Sequence, residues 1–111
     1  MREFRCLTEA VQLYQEAKKV KLPYSLKDQL LRASSSIALN LSEGNDRYSL
    51  KDKRRFFNYA LTSLREVQTL CKLENLKELA LKADHLGAMI YVLNRNLTEA
   101  VSEADTVTEK Q

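Results

Sequence analysis

The sequence predicts an all-α fold, an antiparallel four-helix bundle connected up-down-up-down. Two glycines and one proline among 111 residues are too few for the many tight turns of an all-β fold. Apolar residues recur every three or four positions through four segments, which is the spacing of one face of a helix. The connections between these segments are short, and short connections place consecutive helices antiparallel.

The first helix is expected to carry a wide apolar surface made of two neighbouring stripes. The stripes are Phe4, Leu7, Val11 and Tyr14, and Cys6, Ala10, Leu13 and Ala17. Pro23 lacks an amide hydrogen and disfavours helix at the residue before it. The boundary between the first and second helices is therefore expected between Lys21 and Tyr24.

The second helix is expected to start at a capping box formed by Ser25 and Asp28. Its apolar face is formed by Leu26, Leu30, Ala33, Ile37 and Leu41. Gly44 is expected to end this helix in the left-handed conformation that glycine adopts easily. Small residues of this helix, Ala33 and Ser34 among them, are expected to leave room for larger side chains such as Phe56 and Phe57. Buried serines can bond a carbonyl one turn back.

Ser49 is expected to cap the third helix, with Asp52 in its first turn. The apolar positions that follow are Phe56, Phe57, Ala60, Leu61, Leu64, Val67, Leu70 and Cys71. Asn75 is the expected break before the fourth helix, whose apolar positions are Leu79, Ala83, Leu86, Ile90, Leu93 and Leu97. The bundle is thus expected to occupy residues 1–97, and residues 98–111 are expected to form a polar tail that frays.

Bulk composition predicts a cytoplasmic protein with no membrane association. Apolar residues make up 44% and charged residues 30%, which suits a globular domain. No run approaches the roughly 18 consecutive apolar residues of a membrane span, and the charged amino terminus is unlike a secretory signal. Cys6 and Cys71 are isolated, so they are interpreted as two reduced, buried thiols.

No catalytic or metal-binding pattern is visible, so the chain is not expected to be an enzyme or to hold a cofactor or metal. Gly44 and Gly87 stand alone, without a phosphate-cradling loop. His85 is the sole histidine, and the adjacent Asp84 lies on a different side of a helix. One histidine and two cysteines cannot complete a zinc site. The five tyrosines are spread along the chain and are interpreted as core or interface residues.

Positive charge is concentrated in one run. Residues 1–82 hold 16 Lys and Arg against 10 Asp and Glu, whereas residues 83–111 hold 2 against 5. Within "RYSLKDKRR" five cations accompany a single anion, Asp52; they are Arg47, Lys51, Lys53, Arg54 and Arg55. A basic patch is the electrostatic footprint of phosphate binding, although a solvated face is the alternative interpretation. With no motif for reading bases, any binding is expected to involve the backbone or shape of a nucleic acid.

Asn40 and Glu43 interrupt the small-residue run of the second helix. Glu43 lies in the last turn, where the helix dipole disfavours negative charge, so it needs a compensating partner. Arg47, Arg54 or the first turn of the third helix are the candidates. The pair is interpreted as a structural clasp between the second and third helices, and a functional role is the alternative.

Residues 26–70 resemble the core signature of a family of bacterial four-helix-bundle proteins first found encoded within intervening sequences of 23S ribosomal RNA genes. The matching positions are Gln29, Arg32, Ala33, Ser36, Ile37, Asn40, Glu43, Gly44, Arg47, Phe56, Phe57, Ser63 and Glu66. The similarity extends through the first helix and into the fourth. Asn40, Glu43, Gly44, Ser63 and Glu66 are taken as a structural corner.

The resemblance implies a ring-like homopentamer and kinship with the accessory variability determinant proteins of diversity-generating retroelements. Those proteins are basic pentamers that bind nucleic acid and associate with a reverse transcriptase. This chain differs from them in being only mildly basic with an acidic tail, so it is closer to the intervening-sequence branch. The expected partners are other copies of the chain, RNA or DNA, and a reverse transcriptase. The alternative is a scaffold that docks a protein partner without binding nucleic acid.

Overall fold

Four helices account for nearly all of the chain that the computed structural model describes, residues 4–110, with side chains described for residues 4–103. They are α1 (Arg5–Lys19), α2 (Tyr24–Asn45), α3 (Leu50–Glu74) and α4 (Lys77–Lys110). α1 and α3 each pack against both α2 and α4, so the helices surround a common core. The predicted all-α fold and the four segments are confirmed.

Contacts between side chains give the helix directions. Near the start of α3, Asn58 accepts a hydrogen bond of 2.6 Å from Asn94 late in α4. Near the end of α3, Gln68 donates to Asp84 earlier in α4 at 3.0 Å. α3 and α4 are therefore antiparallel.

The core is built from the predicted apolar faces. Each helix contributes side chains that are almost completely buried, among them Leu13, Leu30, Ile37, Leu41, Leu64, Leu86 and Ile90. The two stripes of α1 differ: Cys6, Ala10, Leu13 and Ala17 are buried, whereas Val11 of the other stripe is 45% exposed. One stripe of α1 is thus fully buried, whereas the other contacts the core through Phe4 and Leu7 and leaves Val11 exposed.

Both cysteines lie inside the bundle as free thiols. Burial raises the pKa of the Cys6 thiol, against an opposing effect of Arg5. Burial also raises the pKa of Cys71, with a further contribution from Asp84. A raised pKa keeps the thiol protonated near neutral pH, where it is a poor nucleophile. The prediction of buried thiols is confirmed.

Helix ends agree with the sequence at two positions. The Ser49 side chain accepts a 3.0 Å hydrogen bond from the Asp52 amide, so it caps α3 as predicted. Asn75 ends α3 in the left-handed conformation, with φ of 55°. The break there is also confirmed.

The predicted capping box of α2 is wrong. The helix begins at Tyr24, Pro23 is its flanking residue, and no side chain caps it. Proline has a fixed φ and no amide hydrogen to satisfy, so a helix can start directly after it. Ser25 therefore already lies within the first turn.

Gly44 does not end α2 in the left-handed conformation. The helix continues to Asn45, and neither glycine has a positive φ. Gly44 is instead buried against α3, where a Cβ atom would lie 2.6 Å from Cε1 of Phe57. Its role is close approach between helices rather than a change of backbone direction.

α4 continues as a helix to Lys110, and Val101 is buried. The tail expected from residue 98 onward thus begins inside a continuous helix. Fraying of that tail stays a prediction, as does the domain boundary at residue 97.

Candidate nucleic-acid interface

The predicted basic run lies where α2 ends and α3 begins. We call this region the basic corner and define it by Arg47, Lys51, Lys53, Arg54 and Arg55. Arg47 lies in the connection between the helices, and the other four lie in the first two turns of α3. Lys51 and Arg55 are exposed, whereas the other three are half-buried. The five cations are thus local to one end of the bundle.

Glu43 has the partner expected for it. Nη2 of Arg47 lies 3.3 Å from Oε2 of Glu43, and the two side chains are 40% and 55% exposed. The pair joins the last turn of α2 to the residues directly after it, so it does not clasp α2 to α3. An exposed ion pair of this kind stabilises a protein by about 0–1 kcal/mol.

Phe56 lies beside two of the three arginines of the basic corner. The guanidinium carbon of Arg47 lies 4.7 Å from the centroid of the Phe56 ring, and that of Arg55 lies 5.0 Å from it. Arg55 also forms an ion pair of 3.5 Å with Asp52, one turn earlier. A cation over an aromatic face is attracted by the ring quadrupole. Both arginines are therefore in contact with the same aromatic ring.

Lys53 has a structural partner. Its Nζ atom donates to the carbonyl oxygens of Asn45, at 2.9 Å, and Gly44, at 3.4 Å. These are carbonyls in the last turn of α2, which lack partners within the helix and carry its negative dipole end. Lys53 thus caps α2, which makes it a weaker candidate for phosphate binding than its neighbours.

Lys27 plays the same role at the start of α2, where it caps the end of α1. Its Nζ atom donates to the carbonyl oxygens of Ala17, at 3.2 Å, Lys18, at 2.7 Å, and Val20. Lys27 and Lys53 are each the fourth residue of their helix. In both connections a lysine of the following helix donates hydrogen bonds to carbonyls at the end of the preceding helix. The sequence pattern did not reveal this role.

The structural corner divides into two separate groups. Gly44 and Glu43 lie at the basic corner, as described above. Asn40 lies further along α2 and donates to the backbone oxygen of Ser36 at 2.9 Å and to its hydroxyl at 3.1 Å. The Ser36 and Ser63 hydroxyls are 2.9 Å apart, which joins α2 to α3.

Glu66 lies at a polar cleft between α2 and α3. The cleft has a volume of about 570 Å³ and is lined by Gln29, Arg32, Ala33, Ser36, Ser63 and Glu66.

The small side chains of α2 border this cleft, and Phe57 lies elsewhere, beside Gly44. The expected packing of Phe56, Phe57 and Tyr59 against Ala33, Ser34, Ser35 and Ala38 stays a prediction. The serine prediction is confirmed, since buried Ser34 donates to the Leu30 carbonyl at 2.5 Å.

Two tyrosines accompany the basic corner. Tyr48, next to Arg47 in the connection, is fully exposed. Tyr59 is 49% exposed and packs edge-on against Phe56, with ring centroids 5.7 Å apart. Neither is a core residue of the bundle. The exposure of the two rings depends on how α2 packs against α3. The positions of the tyrosines in the sequence do not show that packing.

An apolar groove of about 520 Å³ runs between α1 and α4. It is lined by Cys6, His85, Ala88, Met89, Val92, Leu93 and Asn96. His85 is exposed, as expected for a surface histidine.

Within the part of the chain that the structure describes, no group of three or more His, Cys, Asp or Glu residues could hold a metal ion. None of the described helices is long and apolar enough to cross a membrane.

The fold and its lysine-capped turns define a small four-helix-bundle protein with a basic corner between its second and third helices. A family model described as 23S rRNA-intervening sequence protein matches residues 2–92. The chain therefore belongs to the family of 23S rRNA-intervening sequence proteins. Searches among curated proteins and among solved structures each gave no significant match.

Proposed function

We propose that the chain is a non-enzymatic cytoplasmic protein that assembles into a homo-oligomeric ring, a pentamer, and binds nucleic acid without sequence preference through the basic corner. The observation that carries the proposal is the clustering of Arg47, Lys51, Arg54 and Arg55 at one end of the bundle. Cations grouped in this way form the kind of basic patch that binds the phosphates of a nucleic-acid backbone.

The anions near this corner reduce its charge without cancelling it. Glu43 pairs with Arg47, and Asp52 pairs with Arg55. Both pairs are partly exposed, so phosphate oxygens can compete with the carboxylates for the same guanidinium groups. One corner offers few phosphate contacts, and a ring repeats it around an axis. Repetition of a weak site on one assembly raises the overall affinity.

Exposed apolar side chains support self-association. Val11, Tyr91 and Val92 are all exposed, and Val92 also lines the groove between α1 and α4. Apolar surface of this kind is typical of protein interfaces. The pentameric state itself is proposed from the family resemblance.

The test is fluorescence anisotropy with a labelled RNA or DNA duplex and a triple charge reversal, Lys51→Glu, Arg54→Glu and Arg55→Glu. Lys53 is left unchanged because it caps α2. The wild type is expected to bind, with log affinity falling by about 0.9 per neutralised phosphate for each unit of log salt on duplex DNA. The reversal is expected to lower affinity at least roughly tenfold while helicity and assembly mass stay unchanged.

A matched control reverses three lysines at the end of α1 and in the connection to α2, Lys18→Glu, Lys19→Glu and Lys21→Glu. It changes the net charge by the same amount, so it separates contact at the basic corner from the overall field of the protein. This control is expected to bind much more tightly than the corner variant. If the wild type retains no nucleic acid at about 50 mM salt, where electrostatic binding is strong, the proposal is wrong.

The second candidate function is a scaffold that docks a protein partner, such as a reverse transcriptase, without binding nucleic acid. The exposed apolar residues of α1 and α4 favour it, since they can serve a partner as well as another copy. An assembly that forms normally, binds no nucleic acid and co-purifies with a co-expressed reverse transcriptase would support this candidate over the first.

A further inference from the structure

We propose that the basic corner prefers single-stranded over duplex nucleic acid, because the Tyr48 ring beside it stacks on an unpaired base. This inference rests on the proposed function and assigns its substrate class. It is carried by the position and exposure of the aromatic side chains around Arg47 and Arg55.

Tyr48 presents its whole ring to solvent. It lies in the connection between α2 and α3, directly between Arg47 and the Ser49 cap of α3. The turn is fixed on both sides, by Lys53 on the last carbonyls of α2 and by the Ser49 cap. An aromatic ring held out on a fixed turn can stack on a ligand at a low cost in conformational entropy.

Two further aromatic rings, Phe56 and Tyr59, lie in the first three turns of α3. The Phe56 ring lies under the guanidinium groups of Arg47 and Arg55, and Tyr59 meets Phe56 at an interplanar angle of 89°. Cations and rings are therefore interleaved within the first three turns of α3. Grooves that bind single strands combine these two components, with cations along the backbone and rings on which bases stack.

A duplex cannot use the rings in this way. Its base faces are already covered by neighbouring bases, so only phosphates and groove edges reach the protein. In a single strand each base offers a free face, and every base has one, so stacking adds affinity without sequence preference. Single strands thus gain a contribution at this corner that duplexes lack.

The experiment compares fluorescence anisotropy of a labelled oligothymidylate of about 12 nucleotides with that of a duplex of equal length, at one salt concentration. The full-length wild type is expected to bind the single strand more tightly. Tyr48→Ala is expected to lower affinity for the single strand by roughly 5- to 150-fold, the range seen for removing one stacking ring, and to leave duplex affinity unchanged. Tyr48→Phe keeps the ring and is expected to bind like the wild type.

Tyr24→Ala is the matched control, because Tyr24 is also highly exposed but begins α2 at the opposite end. It is expected to change neither affinity. If Tyr48→Ala weakens both ligands equally, weakens neither, or changes the assembly mass, the stacking inference is wrong while backbone binding stands. If the wild type binds neither ligand, the proposed function fails and this inference fails with it.

Discussion

Replacement of Gly44 by alanine is expected to lower the free energy of unfolding by about 1–3 kcal/mol, the usual cost of inserting a methyl group into a packed core. The new Cβ atom would lie 2.6 Å from Cε1 and 2.8 Å from Cδ1 of Phe57, and 3.1 Å from Cβ of Phe56. The Phe57 side chain is buried and also packs against the Phe4 ring, with centroids 6.0 Å apart. It therefore cannot move aside without disturbing the core.

Gly87→Ala is the matched control. Gly87 is also helical, but an added Cβ would approach only the Cδ2 end of Leu64, at 2.8 Å, and Nε2 of Gln68, at 3.5 Å. Leu64 is buried, so its end must shift within the core, but the other contact is at an ordinary distance and alanine gains up to about 1 kcal/mol in helix propensity over glycine. We expect Gly87→Ala to cost less stability than Gly44→Ala in urea unfolding followed by circular dichroism. Equal stability of Gly44→Ala and the wild type would contradict the close approach of α2 and α3.

Leu41→Ala is expected to lower the free energy of unfolding by about 2–5 kcal/mol. Leu41 is fully buried one turn before the end of α2, and its truncation removes apolar contacts and leaves a cavity. Leu39→Ala makes the same chemical change two residues away, where the side chain is 68% exposed. We expect that control to change the stability of the single bundle by no more than about 0.5 kcal/mol.

The comparison is made by urea unfolding together with the mass of the assembly. Equal losses of stability for Leu41→Ala and Leu39→Ala, with no change in mass, would contradict the orientation of α2. A loss of mass in Leu39→Ala alone would instead place Leu39 at an interface between copies.

The helices could be predicted from the sequence because apolar spacing reports directly on the buried face of each helix. The same reasoning failed at the ends of α2. Ser25 has the right type and spacing for a capping box, yet Pro23 sets the start of the helix two residues earlier. Gly44 has the right type for a left-handed end, yet packing against Phe57 is what requires a glycine. At each of these two positions, two physical causes compete. The sequence alone does not show which of them prevails.

The basic corner could be found in the sequence because its five cations are nearly contiguous. Their separate roles could not. Lys53 caps α2 only because the first turn of α3 folds back onto the last carbonyls of α2. Arg47 and Arg55 are eight residues apart, and they meet at Phe56 only once the turn between the helices is formed. Such contacts depend on tertiary proximity. The five cations could therefore be identified from the sequence, but the lysine that caps a helix could not be distinguished from the candidates for phosphate binding.

Native mass spectrometry of the full chain mixed with a short oligonucleotide tests the central claim most directly, because one spectrum counts both chains and bound strands. In ammonium acetate of about 50 mM, where electrostatic binding is strong, we expect an assembly of five chains of 12.8 kDa each, carrying at least one strand. The triple reversal at Lys51, Arg54 and Arg55 is expected to keep the five chains and lose the strand. A spectrum of single chains, or of a ring that carries no strand, would contradict the account.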